Sequence, residues 1–469
     1  MSAPKPTLAV ISTFDDLCGI AGYTKPIVGL LAEHFDITVF DLDQFLFKSK
    51  SRRVQRLADR ELNAFCRTLG RFDAVNLQLE HGTLGNDPHT IMRRLRRIVT
   101  SCRNITITFH TIFVDTAAPG LTFARDCLKG KFRTGYVAYT KAKHDNLLAS
   151  GLYGFLRRQQ SRRRVTVIVH TRRDARLLKT LYNLKNVHDH PLASLSVADA
   201  RQVLAAASRD RFPALAALPP GSIVLGCFGF LSRYKGFDTA LQAMQLLPEH
   251  FHLAIFGATH PNSIVEQATV DPYVKRLMGL VNAGKSLIDI PKRGRTSLVL
   301  KSEDLSTLAE QPHRGNIARR VHFMGALSDA DFPVAMAACD TVVLPYLEVG
   351  QSSSGPLNWA IMLGKHIIAS RTKTFIQSLR YYPGRFRTFD IGNFIELAET
   401  VAVESAVTDL HVPRFPFPER YSTETNIETY LAALLPDGTA ARASGREPPA
   451  SSDAPRPAER AAVAATAGG

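Results

Sequence analysis

The sequence predicts an α/β protein built as two parallel-sheet halves that face a crevice. Three observations lead there. Short apolar runs rich in β-branched residues alternate with helix-like segments through the first part of the chain. The same alternation restarts at Ser222, after a stretch rich in Ala, Ser and Pro. Glycines, histidines and a glutamate cluster where these strands end. Strands that alternate with helices form a mainly parallel sheet. In such sheets ligands bind beyond the carboxyl ends of the strands.

In chain order, Thr7–Thr13 (TLAVIST) reads as a strand. The loop after it carries Gly19 and Gly22, and IVGLLAEHF follows as a helix. Asp36–Leu42 is a second strand, and residues 48–71 form an Arg-rich helical segment. Asp73–Gly82 is a strand that runs into a loop at Glu80 and His81. A basic helix over Thr90–Cys102 leads to the strand Ile105–Thr111, with His110 at its end. Val165–Thr171 is a further strand, ending at His170, and a helix follows. Gly19, Gly22, Glu80, His81, His110 and His170 therefore all fall on the crevice side.

In the second half, residues 222–232, 251–258 and 320–327 read as strands, with helices over 238–247, 271–281 and 328–338. The stretch Leu344–Ser370 is the most informative. It runs from a buried strand (CDTVVLPY) through a Ser/Gly loop and a helix over Leu357–Leu363 to another strand (IIAS). Pro356 suits the first turn of that helix and Gly364 its far end. Ser352, Ser353, Ser354 and Gly355 precede the helix start. Free backbone N–H groups there, at the positive end of the helix dipole, suit a phosphate. A loop that merely connects two elements is the alternative.

The expected division is a first domain over 1–195, a linker over 196–221 and a second domain over 222–410. A C-terminal helix falls within 411–436. The tail over 437–469 is too rich in Ala, Pro, Arg and Ser to form a core and is expected to be disordered. The six cysteines are scattered without close pairs, which argues for a reducing compartment and against a disulfide frame or a zinc site. No apolar run reaches the ~20 residues of a membrane span, and the N-terminus lacks a signal-peptide pattern. A cytoplasmic protein is expected.

The net charge of +16 is concentrated in the first domain. Residues 1–195 hold 31 Lys/Arg against 16 Asp/Glu, and the rest hold 27 against 26. The densest basic runs are Arg93–Arg97, Lys129–Lys143 and Arg157–Arg164. Such a face attracts an anionic membrane or a polyanion, or is simply solvated. The last run lacks interleaved aromatics for base stacking, so nucleic acid is the weaker reading.

The second half now resembles a known family. GFLSRYKGFDTALQAMQLLPEHFHLAIFGATHPNS (Gly229–Ser263), ACDTVVLPY and SGPLNWAIMLGKHIIAS are similar to the donor-binding half of family-4 retaining glycosyltransferases of the GT-B fold. CGIAGYTKPIVGLL, VNLQLEHGTLG, TFHT and VIVHTRRDARLL resemble its first half. The resemblance covers roughly residues 7–435. It implies two Rossmann-like domains and a nucleotide-diphosphate sugar held mainly by the second. It also implies a glycan or lipid-linked acceptor on the side of the first domain, where Glu80, His81 and His170 stand. Transfer with retention and without an obligatory metal or other cofactor follows. FPFPERYSTETNIETYL resembles the helix that crosses back to the first domain in this fold.

The resemblance also assigns roles. Lys235 matches a lysine on the donor diphosphate, where a positive charge meets the charge developing on the leaving group. Ser352–Gly355 would hold the same oxygens, Gly19 and Gly22 would let the backbone approach them, and His110 would stand near the donor sugar. The family's two glutamates, eight positions apart, are here Gln351 and Trp359. Gln351 keeps a hydrogen-bonding group without charge; Trp359 stacks or belongs to the core. Arg233 is a candidate for a missing family arginine, and Glu348 for a missing carboxylate.

Two further patterns argue against their own motifs. Gly279–Ser286 fits a phosphate-loop pattern, but a charged helical segment precedes it and no helix follows. His188 and His190 have metal-like spacing without further ligands nearby, and read as a loop at the domain junction. The function expected is sugar transfer from a nucleotide-diphosphate sugar in polysaccharide or glycolipid assembly, on an anionic membrane face. A non-catalytic protein of the same fold that binds a nucleotide sugar or a glycan is the alternative.

Overall fold

The computed structural model describes residues 4–15, 19–115, 119–259, 271–282, 317–407 and 416–435. The insertion over 284–316, the tail over 437–469 and the second half of the phosphate-loop-like stretch (283–286) lie outside them.

Both expected parallel sheets are present. The first is built from β1 (Thr7–Ser12), β2 (Asp36–Asp41), β3 (Ala74–Leu79), β4 (Asn104–Phe109), β5 (Arg164–Val169) and β6 (Val187–Asp189). Its order is β2-β1-β3-β4-β5-β6, parallel throughout. The second comprises β7 (Ile223–Phe228), β8 (Phe251–Phe256), β9 (Val321–Gly325), β10 (Thr341–Leu344), β11 (His366–Ser370) and β12 (Arg387–Phe389). Its order is β12-β11-β10-β7-β8-β9, also parallel. The inner strands read as continuous apolar runs because helices cover both faces; all six residues of β3 and of β8 are buried.

Each chain path reverses direction once across its sheet. In the first it reverses between β1 and β3, in the second between β7 and β10. Loops that leave adjacent strands in opposite directions part at such a point and open a crevice. The segments after β7 and β10 carry Lys235 and Ser352–Gly355, so the topology alone brings these two together.

Two sequence expectations are corrected. Gly19 and Gly22 do not lie in a loop; the helix Gly19–Leu31 begins at Gly19. Its first-turn N–H groups still have no helical acceptor, and a Cβ at either glycine would meet nothing within 4 Å. His188 lies in the edge strand β6 rather than in a junction loop, and His190 follows it directly. His190 Nε2 lies 3.2 Å from Thr425 Oγ1 and so helps seat the C-terminal segment. The Ala/Ser/Pro stretch after residue 193 carries short helices over Val197–Ala205 and Pro213–Ala216, and Leu195, Ala200, Phe212 and Leu215 are buried in the core of the second domain.

The helix Thr423–Leu434 lies across the first sheet. Ile427, Tyr430, Leu431 and Leu434 share a core with Leu8, Val10, Tyr23 and Ile27. The carbonyls at its last turn have no intrahelical donor. Asn104 Nδ2 donates to Leu434 O at 2.7 Å, and Thr106 Oγ1 donates to Ala433 O at 3.2 Å. These explain two polar residues on an otherwise apolar strand. The fully buried Tyr430 hydroxyl meets Gln78 Nε2 (3.0 Å), Thr108 Oγ1 (2.9 Å) and Tyr23 OH (3.4 Å). Removing that hydroxyl orphans buried partners, at a cost of about 1–3 kcal/mol. Tyr430→Phe is expected to lower the unfolding free energy by that amount, seen as a lower denaturant midpoint at unchanged m-value in chemical denaturation.

No helix among the described residues is long and apolar enough to cross a membrane.

Candidate functional site

The second-domain wall of the site begins with Lys235. The turn Arg233–Lys235 ends on Gly236 in the left-handed region (φ 64°, ψ 26°). A Cβ at Gly236 would lie 1.9 Å from Pro345 O, so glycine is required both by dihedral and by space. This close approach drives the Lys235 side chain inward, along Gly229, whose missing Cβ would sit 2.9 Å from Lys235 Cε. Lys235 is only 6% exposed. Its Nζ donates to Tyr346 OH at 2.6 Å and lies over the rings of Tyr346 (4.1 Å) and Tyr234 (5.1 Å).

An ammonium group has three donors. Here one hydrogen bond is made to a neutral phenol, and no ion pair to a described carboxylate. Burial therefore pushes the Lys235 pKa down to about 7. A buried cation in this state is stabilised most by an incoming anion.

Tyr346 lies between the lysine and the serine loop: Lys235 Nζ donates to its phenol, and the Ser354 side chain stands close enough to offset part of the rise that burial gives the phenol's pKa. Ser354 is the N-cap of the helix Gly355–Met362 and accepts from Leu357 N at 3.4 Å, with Pro356 in the first turn as the sequence suggests. Gly364, in the left-handed region (φ 64°), follows the far end. Ser352 Oγ accepts from Ile112 N at 3.2 Å, so the loop is tied to the first domain.

The remaining second-domain candidates are placed as follows. The Gln351 side chain stands near Tyr234, beside Lys235, where it lowers that phenol's pKa against its burial, and the Gln351 main-chain carbonyl accepts from Thr374 Oγ1. Glu348 accepts from Gly350 N (2.9 Å) and from Lys373 N (2.7 Å), at the start of the helix Lys373–Ser378. Its carboxylate fastens the loop. Arg233 is exposed at the rim, with no ion pair among the described residues. Trp359 is half-buried, packed against Phe332 (6.0 Å between centroids) and the second core.

On the first domain a buried polar chain leads to the crevice. Asn76 Nδ2 donates to Thr106 O, and Gln78 Nε2 donates to Asn76 Oδ1. Gln78 Oε1 therefore faces His110 Nε2, 2.9 Å away, and this nitrogen carries hydrogen. His170 Nδ1 lies 3.2 Å from His190 O and must also donate. His110 Nδ1 and His170 Nε2 are left facing each other at 3.3 Å. With both rings neutral that contact has no proton. Burial holds both neutral: it pushes His170 down to about 4 and His110 well below its usual range, the latter helped by His170. The pair is thus a proton acceptor that a nearby negative charge would activate. Tyr23 stands edge-on to both rings, at 5.3 Å from each.

Glu80 accepts from Thr111 Oγ1 at 2.8 Å, and burial raises its pKa. His81 is packed against Phe113 and Phe109 and is pushed by burial to about 4. It is a neutral wall residue in this setting.

A narrow crevice, open to solvent, lies between the domains. His170 and Thr171 line one side, and Ser352–Ser354, Asn358, Tyr381 and Tyr382 the other. Tyr381 bridges the domains: its hydroxyl donates to Asp189 Oδ2 at 3.1 Å and accepts from Arg172 N. Asn358 Oδ1 and Tyr382 OH are buried without a hydrogen bond among the described residues. Asn358, Tyr381 and Tyr382 escaped the sequence reading. Only Asn358, one residue from Trp359, lies within a stretch the sequence singled out.

Neither a protein-family model nor a curated protein sequence matches the chain. Solved structures do. Anabaena HepE in complex with UDP-glucose is 14% identical, with a TM-score of 0.51, covering 92% of this chain and 100% of its own. Sucrose-phosphate synthase from Thermosynechococcus elongatus is 15% identical, with a TM-score of 0.52, covering 94% and 98%. An alpha,alpha-trehalose 6-phosphate synthase from Burkholderia multivorans is 11% identical, with a TM-score of 0.59, covering 95% and 99%. At such identities the likeness is one of fold, and that fold is GT-B.

Proposed function

We propose that the protein transfers a sugar from a nucleotide-diphosphate sugar to a glycan or lipid-linked acceptor. The observation that carries this is the buried Lys235, underprovided with acceptors and joined through Tyr346 to the Ser352–Gly355 helix start. One lysine and one helix N-terminus converge on the place where a diphosphate would sit. HepE, of the same fold, was crystallised with UDP-glucose, which supports a uridine nucleotide as the first donor to test.

In this reading the bond from the sugar's anomeric carbon to the diphosphate oxygen breaks, and the acceptor oxygen bonds to that carbon. The acceptor proton passes to the departing diphosphate or to solvent. Lys235, Arg233 and the loop amides take up the charge on the leaving group. The reaction is proposed to retain the anomeric configuration and to need no obligatory metal. Gln351 reaches the donor as a neutral hydrogen-bonding group. Asn358 Oδ1 and Tyr382 OH offer hydrogen bonds to hydroxyls in the crevice. Gly19 and Gly22, in the first turn of their helix, face the donor from the other side; His110 stands near the donor sugar, and Glu80, His81 and His170 lie toward the acceptor.

A second reading has its own observation. The Nε2 of His110 is held by Gln78 and its Nδ1 faces the buried His170 ring rather than open space, and Gln351 brings no charge. A protein that binds nucleotide sugar without transferring it fits these facts. Incubation with UDP-, GDP- and ADP-sugars plus a lipid and glycan extract separates the two. Transfer predicts release of nucleoside diphosphate that depends on the extract and survives EDTA. Tight nucleotide binding without release from any donor would favour the second reading.

A further inference from the structure

The residues after β4 form a helical hairpin that the sequence reading did not single out. Its helices are Pro119–Leu128 and Phe132–Asn146. They hold each other through Phe123 against Tyr136 and Tyr139, and through Gly135, where a Cβ would come within 2.9 Å of Asp126. The pair is barely packed on the rest of the protein: the first helix has no buried residue, and the second buries only Gly135 and Ala142.

The hairpin carries apolar side chains where a soluble surface would not. Leu121 and Leu128 lie seven residues apart, on one face of their helix. Leu128 is 89% exposed and Phe132, across the turn at Gly130, is 64% exposed; Leu121, Tyr136 and Val137 are exposed too. Around them stand Arg125, Lys129, Lys131, Arg133, Lys141 and Lys143, all exposed, against only two aspartates in the hairpin. None of the six cations enters an ion pair with a described residue. An apolar tip ringed by unneutralised lysines and arginines matches the boundary between acyl chains and anionic headgroups. Single scattered apolar residues are ordinary on a surface, but a cluster rimmed by one charge sign marks a partner.

We infer that the hairpin Pro119–Asn146 docks the protein on an anionic lipid bilayer, with Leu128 and Phe132 inserted at the headgroup boundary. The hairpin begins a few residues after His110, so docking holds the first-domain side of the crevice near the membrane. This deepens the lipid-linked acceptor of the proposal above. It also stands apart from that proposal, because vesicle binding is read without any transfer reaction.

The test is flotation of the full chain with phosphatidylcholine vesicles, with and without phosphatidylglycerol. Wild type is expected to float with the anionic vesicles, with affinity falling about tenfold or more in neutral ones or at high salt. Leu128→Glu/Phe132→Glu is expected to lose about tenfold or more at unchanged melting temperature and unchanged UDP binding, since both side chains are in water already. Lys129→Glu/Lys131→Glu is expected to lose anionic selectivity. Equal flotation of wild type and both variants would overturn the inference. So would capture by an RNA or protein partner with no flotation on any vesicle.

Discussion

Lys235→Met is expected to weaken nucleoside diphosphate binding by about a hundredfold or more while making the empty protein harder to melt. The two effects share one cause. Lys235 is buried, has one hydrogen bond and titrates near pH 7. A charge held so poorly opposes folding, and a methionine of similar length fills the same space without it. The Tyr346 hydroxyl loses its donor, which returns part of the gain. A net gain of ~1 kcal/mol raises the melting temperature by about 2–4 °C. In the bound state the ammonium is a direct counter-charge to the diphosphate, and charge-assisted contacts of this kind contribute about 2–3 kcal/mol or more when desolvated. Calorimetric titration with UDP and a thermal melt check both halves. A variant that binds normally, or melts well below wild type, would mean that Lys235 is structural.

Gly236→Ala is expected to be strongly destabilising. Two costs add: the left-handed dihedral, at about 1 kcal/mol for a residue with a Cβ, and the collision with Pro345 O. Relieving a 1.9 Å overlap requires the Lys235 turn and the β10 loop to separate, so a loss of about 3–5 kcal/mol is expected, with a fall of ~10 °C in melting temperature. Gly384 gives the control. It has nearly the same dihedral (φ 72°) but nothing within 4 Å of its Cβ position. Gly384→Ala is expected to cost only the dihedral term. If the two variants melt together, the Pro345 contact does not matter and the close approach does not fix Lys235.

Both predictions depend on contacts that sequence reading approached from one side only. The inner strands were legible because burial on both faces leaves an unbroken apolar run. The edge strands β6 and β12 were not. Each has three residues, and His188, Asp189, Arg387 and Thr388 face solvent in part. The helices 119–146 were missed for a related reason: they bury almost nothing, so no apolar stripe marks them, and only their charge stood out.

At the site, the helix start at Ser354–Pro356 could be read locally, and Lys235 was singled out only through the family resemblance. What could not be read was convergence over long separations. Tyr346 lies between Lys235 and Ser354, Gln78 lies between Tyr430 and His110, and Tyr381 ties Asp189 and Arg172 to the other domain. Glu348 shows the opposite limit. A carboxylate in a binding loop suggested a ligand, whereas its oxygens accept two backbone N–H groups of the loop and the next helix.

The claim that a diphosphate meets Lys235 has a pH signature of fixed sign. Burial holds the folded pKa near 7, below the ordinary lysine value, so the unfolded chain binds more protons between about pH 7 and 10. Stability of the empty protein therefore rises with pH across that window. Anion binding needs the charged lysine, so it runs the other way. The most direct measurement is calorimetric titration of wild type with UDP from pH 6.5 to 8.5, in buffers of different ionisation enthalpy. The expected result is a plateau below pH 7, then a fall in affinity of up to about tenfold per unit with uptake of one proton. The dependence should vanish in Lys235→Met. A flat profile in wild type, or the same slope in the variant, would contradict the placement of the diphosphate at Lys235.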